Sequence, residues 1–398
     1  KVTGQGTYQV GGEVAMMQEM VLEVQIDNGD TKTLCYLTNE TGLVQRRWPM
    51  MSIQLHQTNG TIAQVYHLEL AAAPLHEIWF STQHGFHSGT LPPVPSQVTG
   101  GDLISSAGRL VKRNHELTAR LGIMPVVPDL GLDAIDILPG GEIAFSMAQG
   151  EFSETLGPLH EGDVLSDRGK VIHSYADLMG AFGPQPPLAD SGLDALHRVN
   201  EEEFCFSIKQ DFFSEILGRA IHRGDLLSSR GVILKTNEEL LAPFNPADPK
   251  KDYGLDAVWV WPNGEIWFST EEGVHGQHFE FYAPGDLLSD QGYVVFRNLE
   301  LVGAFAPLED LGDFGLDALF IGSDASPSAP APRFTRVNRG PATGVIELEW
   351  DGAGRVFQVK RAGNAAGPYS PLSEIVPDLF FNDTTSFPPQ SFYRLRQW

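Results

Sequence analysis

The chain has 398 residues, a formal net charge of -24 and 42% hydrophobic residues, so it is long enough to bury a large core and to hold roughly two or three domains. The acid excess lies in residues 1–332, because residues 333–398 hold 8 Lys/Arg against 6 Asp/Glu. Such a field repels nucleic acid and anionic membranes and favours cations, neutral glycans or basic partners. No stretch approaches the ~18 apolar residues of a membrane span. The start at Lys1, with no initiator Met and no apolar signal core, leads us to expect a processed or trimmed form.

In chain order, residues 1–65 form a first unit with β-like runs at Val14 to Ile26, Thr33 to Leu37 and Met51 to His56. From residue 66 the chain repeats. Gly131-Leu132-Asp133-Ala134 returns at Gly192, Gly254 and Gly315, in steps of 61, 62 and 61 residues. A second marker keeps step with it: Gly101-Asp102, Gly162-Asp163, Gly224-Asp225 and Gly285-Asp286. Two markers locked to one period identify a repeat architecture. Residues shared by every copy then serve the fold, and residues that differ between copies are where function is to be sought.

The fourth copy shows the pattern. Ala257 to Trp261 is an apolar strand, Pro262-Asn263-Gly264 is a turn, and Glu265 to Ser269 is the return strand. After a polar loop, Leu287-Leu288-Ser289 and Tyr293 to Phe296 make a second hairpin. Each copy thus reads as four strands. No stretch sustains a 3.6-residue period, so the copies are expected to lack helices. Their tails, such as Asn298 to Leu301 with Phe305 and Pro307, are expected to plug the junctions between copies. The first copy is degenerate, with Leu68-Glu69 in place of Leu-Asp. Gly315 to Ile321 is a strand with no hairpin after it, and an orphan strand must find a partner. We favour its joining residues 8–60 in a composite fifth unit; a ring of four with a separate N-terminal β-domain is the rival.

Residues 322–332 are a Pro/Ser/Ala linker, and residues 333–398 carry further β-runs at Val345 to Trp350, Val356 to Arg361 and Phe392 to Arg396. The chain as a whole reads as all-β. The repeat, over 66–321, resembles the β-propeller repeats of secreted bacterial proteins, without the WD signature or a sialidase-type box. Residues 333–398, with Trp350 on an early strand and Tyr393 on a late one, resemble a fibronectin type III-like module. The resemblances imply four four-stranded blades, a small C-terminal β-sandwich and a secreted or extracytoplasmic location.

Four sets of residues are candidates for chemistry. Glu69, Asp133, Asp194, Asp256 and Asp317 start the first strands, which in a propeller line the axis. Facing one another, such carboxylates suit Ca²⁺, which takes oxygen ligands; alternatively each caps a turn or a junction. The marker aspartates, with a serine three residues on (Asp163 with Ser166, Asp225 with Ser228, Asp286 with Ser289), are expected to satisfy loop amides. His84 and His87 in the first copy, and His275 and His278 in the fourth, form two H-x-x-H pairs suited to a transition metal or a general base, or are exposed loop residues. Trp79, Trp259, Trp261, Trp267, Phe279, Phe281 and Tyr282 are core, with the loop members a candidate sugar-stacking surface. Cys205 aligns with Trp79, Ala144 and Trp267 and is read as a packing residue; whether it pairs with Cys35 stays open. No P-loop, dinucleotide fingerprint, nucleophile elbow or HExxH helix is present. The leading expectation is a binding or scaffold propeller for a glycan, cation or protein; the alternative is a glycan-cleaving enzyme, a glycosidase or polysaccharide lyase.

Overall fold

The computed structural model describes residues 77–187, 190–277, 280–322, 331–339, 345–385 and 391–398, together with the strands Val2–Gln5, Glu19–Gln25, Thr31–Leu37, Met51–Leu55 and Tyr66–Leu70. The chain is mostly strand with few helices. Each of the second to fourth copies folds into one four-stranded antiparallel sheet with strands in sequence order. In the second these are Ala134–Leu138, Glu142–Ser146, Val164–Ser166 and Lys170–His173. The third sheet runs Ala195–Arg198, Phe204–Ser207, Leu226–Ser228 and Val232–Lys235, and the fourth runs Val258–Val260, Ile266–Phe268, Leu287–Ser289 and Tyr293–Phe296. The second strands are buried on both faces, which is why Phe-x-Phe-Ser and Ile-Trp-Phe-Ser run without polar alternation. The Asn263-Gly264 turn works as its chemistry demands: Asn263 Oδ1 accepts from Glu265 N at 3.0 Å, and Gly264 takes a φ of 87°.

The first sheet corrects the expected closure. Its strands are Arg109–Lys112, Leu103–Ser105, Ile78–Phe80 and, in the first-strand position, Leu319–Ile321 from the far end of the repeats. Leu319, Phe320 and Ile321 pair with Phe80, Trp79 and Ile78. Tyr66–Leu70 instead pairs with Met51–Leu55, so the repeated unit begins near residue 77 rather than 66, and the orphan strand completes the first copy rather than a fifth unit with residues 8–60. The first strands touch in a closed order: Ala134–Leu138 meets Ala195–Arg198, which meets Val258–Val260, which meets Leu319–Ile321, which meets Ala134–Leu138.

The shared residues build this closure. The serine ending each second strand donates to the leucine carbonyl of the next Gly-Leu-Asp-Ala: Ser81 to Leu132 at 2.7 Å, Ser146 to Leu193 at 3.3 Å, Ser207 to Leu255 at 2.6 Å and Ser269 to Leu316 at 2.8 Å. The two glycine markers are joined by an aspartate. Asp129, Asp190, Asp252 and Asp313 each accept from the glycine of both: Asp252 from Gly224 N at 3.1 Å and Gly254 N at 2.8 Å, Asp313 from Gly285 N at 3.0 Å and Gly315 N at 3.1 Å. Tail aromatics fill the junctions as expected: Phe182 packs on Phe206 and Phe212, Phe244 on Phe268 and Tyr282, and Phe305 on Phe86.

The tails also overturn the expectation of no helices. Each begins with a short one: Asn114–Thr118, Tyr175–Gly180, Asn237–Leu241 and Asn298–Val302. Five or six residues are too few to show a 3.6-residue period, but their capping is legible. Ser174 with Asp177 and Thr236 with Glu239 form capping boxes. The marker aspartates accept from the first helical N–H, Tyr175 N to Asp163 at 2.8 Å and Asn298 N to Asp286 at 3.0 Å.

Residues 333–398 form two three-stranded sheets, Arg333–Arg339/Ile346–Asp351/Phe380–Asp383 and Ser370–Pro371/Phe357–Ala362/Phe392–Gln397. Leu348, Trp350, Phe357 and Val359 make their own core. One edge docks on the repeats: Gly140 N donates to Gly354 O at 2.8 Å, Lys112 Nζ lies 2.9 Å from Asp378, and Val356 and Trp398 join the main core. A side chain at Gly141 would collide with the Pro377 carbonyl, and Gly141 also needs its φ of 74°.

Candidate functional site

The first strands carry two levels of side chains around their meeting point. At one level stand the shared carboxylates Asp133, Asp194, Asp256 and Asp317, near enough to shift one another's titration; the side chain of Glu69 lies outside the described residues. Their mutual charge is felt around the set. Burial, then Asp317 and Asp194, pushes the Asp256 carboxyl well above the carboxylate range. Burial, then Glu271 and Asp133, does the same to Asp194. Burial, then Asp133, lifts Asp317 to about 7. Asp133 is also raised by burial, although Lys209 Nζ lies 2.5 Å from its Oδ2 and pulls the other way. Asp317 Oδ1 is buried with no hydrogen-bond partner.

Beside this ring stand residues that the sequence reading missed. Two positions after each shared serine come Gln83, Ala148, Lys209 and Glu271. Each packs over the glycine of the next Gly-Leu-Asp-Ala: Ala148 on Gly131, Lys209 on Gly192, Glu271 on Gly254 and Gln83 on Gly315. Lys209 neutralises part of the ring, and Glu271 adds to its charge while pairing with Arg223 at 2.5 Å. Alignment of the copies would have found this position, since it is variable and adjoins a shared one.

At the second level, three residues further along the strands, every copy differs: Asp136, His197, Trp259 and Phe320. All are buried. The His197 ring lies tilted against Trp259 with centroids 4.5 Å apart, and Phe320 meets Trp259 edge-to-face at 5.5 Å. Burial holds the His197 imidazole neutral, down to about 4.

His87 and His275 lie on hairpins outside the four-stranded sheets. His87 Nδ1 lies 2.7 Å from Glu309 Oε1, on the hairpin Phe86–Ser88/Ser96–Val98. His275 stacks on Phe281 at 4.8 Å in the fourth copy's hairpin; His84 is exposed, and His278, with Phe279, lies outside the described residues. Among the described residues, the group whose ligand atoms lie within 4.8 Å of one another is Asp211, His222 and Asp252, which includes neither those histidines nor the carboxylate ring. Asp252 is one of the aspartates bridging the two glycine markers. Asp211 replaces a loop glycine (Gly85, Gly150, Gly273 in the other copies) and accepts from Arg223 N at 2.9 Å. Cys205 is a free, buried thiol pushed up to about 12, in keeping with a packing residue. Trp79, Trp259 and Trp267 are core, and Phe281 is exposed.

No protein-family model matches the chain, and no curated protein matches it. Among solved structures it is similar to the extracellular domain described for a one component system, BT4673, of B. thetaiotaomicron, at 9% identity, TM-score 0.23, covering 95% of this chain and 64% of that one. It is also similar to the extracellular domain of the hybrid two component system BT3049 of the same organism, at 11% identity, TM-score 0.21, covering 95% of this chain and 52% of that one. The chain therefore spans less than two thirds of the length of these structures. Among the described residues no helix is long and apolar enough to cross a membrane.

Proposed function

We propose that the protein is a four-bladed β-propeller with a C-terminal fibronectin type III-like module, that it acts outside the cytoplasm as a binding or scaffold protein, and that its axial carboxylate ring takes a hard divalent cation, Ca²⁺. The closed order of the first strands supports the propeller. The observation that carries the cation is Asp317 Oδ1, buried without a partner among four carboxylates whose charges oppose one another. A buried anion without a compensating partner is costly, and oxygen-only donors suit Ca²⁺. Asp133, Asp194, Asp256 and Asp317 would hold the ion after rotating inward, with Lys209 displaced from Asp133. The exposed Phe281 and its neighbours are the surface on which a glycan would stack.

Calorimetric titration with Ca²⁺ tests this. Wild type is expected to bind with release of protons. Asp256→Asn/Asp317→Asn is expected to lose binding while staying folded. Undiminished Ca²⁺ binding in the double variant would remove the ring as the site. A glycan array tests the carbohydrate ligand separately.

A further inference from the structure

The second axial level differs in chemistry from the carboxylate ring. Arg355, from the C-terminal module, reaches across the docking edge into it. Its guanidinium Nε donates to Ile137 O and its Nη2 pairs with Asp136 Oδ1. Its Cζ lies 5.4 Å from the Trp259 ring centre and 4.9 Å from that of Phe320. One carboxylate, one backbone carbonyl and two aromatic rings set edge-to-face, 5.5 Å apart, that both border the guanidinium are a recognition set for a planar cation, offering acceptors and π-electron density. His197 adds to it. Its ring bonds the Val260 backbone, and its Nδ1 is buried without a hydrogen-bond partner, 3.6 Å from Asp136 Oδ2. A neutral imidazole nitrogen of this kind is a spare acceptor. Asp136 is itself held in place by Arg198 N at 2.5 Å and Ile137 N at 2.6 Å, so the acceptor is fixed before any cation arrives.

The repeat comparison makes a second, independent point. Residues that build the closure are the same in every copy, whereas this level holds Asp, His, Trp and Phe in turn. The fold does not require that set. Nor does the C-terminal module require Arg355 for its own core, which is formed by Leu348, Trp350, Phe357 and Val359.

We infer that Asp136, His197, Trp259 and Phe320 form a guanidinium-binding site, that Arg355 fills it as a tethered ligand, and that it accepts the arginine side chain of another polypeptide when the module withdraws. The tether explains why the site is filled in cis: a short linker gives an effective concentration on the order of millimolar, which a free arginine must exceed. The inference stands on this level alone and does not depend on a cation at the carboxylate ring.

Thermal melting of the full chain tests it by replacement of the missing group, with agmatine as the probe. Arg355→Ala is expected to melt lower than wild type and to regain stability in millimolar agmatine, but not in n-butylamine or in NaCl of equal ionic strength. Wild type, its site already filled, is expected to gain little. Arg355→Ala/Asp136→Asn leaves no uncompensated charge and is expected to fold without responding to agmatine. If Arg355→Ala folds only when agmatine is present, the inference is supported. It is overturned if agmatine does no better than butylamine, if the double variant responds equally, or if Arg355→Ala folds neither with agmatine nor without it.

Discussion

Asp317 and His197 sit on neighbouring levels of the first strands, and burial shifts their titrations in opposite directions. Asp317 is raised to about 7 from 3.8, so the folded chain binds this proton more tightly than the unfolded one; its contribution is fully present below about 4 and is lost as pH rises through about 7. His197 is lowered from 6.5 to about 4, so its contribution is present above about 6.5 and is lost as pH falls through about 4. The two raised carboxyls of Asp194 and Asp256 reinforce the first trend. Without Ca²⁺, Asp317→Asn is therefore expected to stabilise the chain at pH 8 and to change little at pH 4. Urea denaturation at the two pH values reads this out, and equal effects at both would show that the ring is not charged as described. The thiol of Cys205, buried and held protonated, is expected to resist Ellman's reagent until the chain unfolds.

The strand Leu319–Ile321 carries more of the fold than its three residues suggest. It supplies the first strand of the first sheet, and Phe320 packs on Trp79 at 5.5 Å as well as on Trp259. Phe320→Ala is expected to cost about 3–5 kcal/mol in equilibrium unfolding. A cost near zero would mean that the ring does not close through this strand. The serine latches give a graded test. Removing Ser207, whose bond to Leu255 O is 2.6 Å, leaves a buried carbonyl unsatisfied and is expected to cost about 1–3 kcal/mol. Removing Ser146, with its longer 3.3 Å bond to Leu193 O, is expected to cost less. The reverse order would show that the latches are incidental to the closure.

Across the whole molecule, a net charge of -24 surrounds a core whose ring already gathers four carboxylates. Self-repulsion and ring charge then act in the same direction, and the proposed Ca²⁺ would relieve both. The Ca²⁺-induced rise in melting temperature is expected to be larger at pH 8 than at pH 5, because at pH 5 a proton already occupies the Asp317 carboxyl, raised to about 7. Matched NaCl is expected to reproduce only the part due to general screening. A rise of the same size at both pH values would point to surface binding instead.

The sequence by itself determined the repeat, its four-stranded unit and the level of shared aspartates. These follow from local rules: alternation, turn chemistry, and the spacing of Gly131, Gly192, Gly254 and Gly315. It also marked the tails, Phe305 among them, as junction plugs, because an apolar residue in a polar tail needs somewhere to be buried. The tertiary structure decided what depends on distant partners. Leu319–Ile321 could have joined residues 8–60 or the first copy, and only strand pairing selects Ile78–Phe80. Lys209 and Glu271 look like ordinary loop charges until the closing of the ring sets them against Gly192 and Gly254. Arg355 lies 219 residues from Asp136 in the chain, and no local pattern links them; only the docking of two separate cores brings a guanidinium against Trp259 and Phe320.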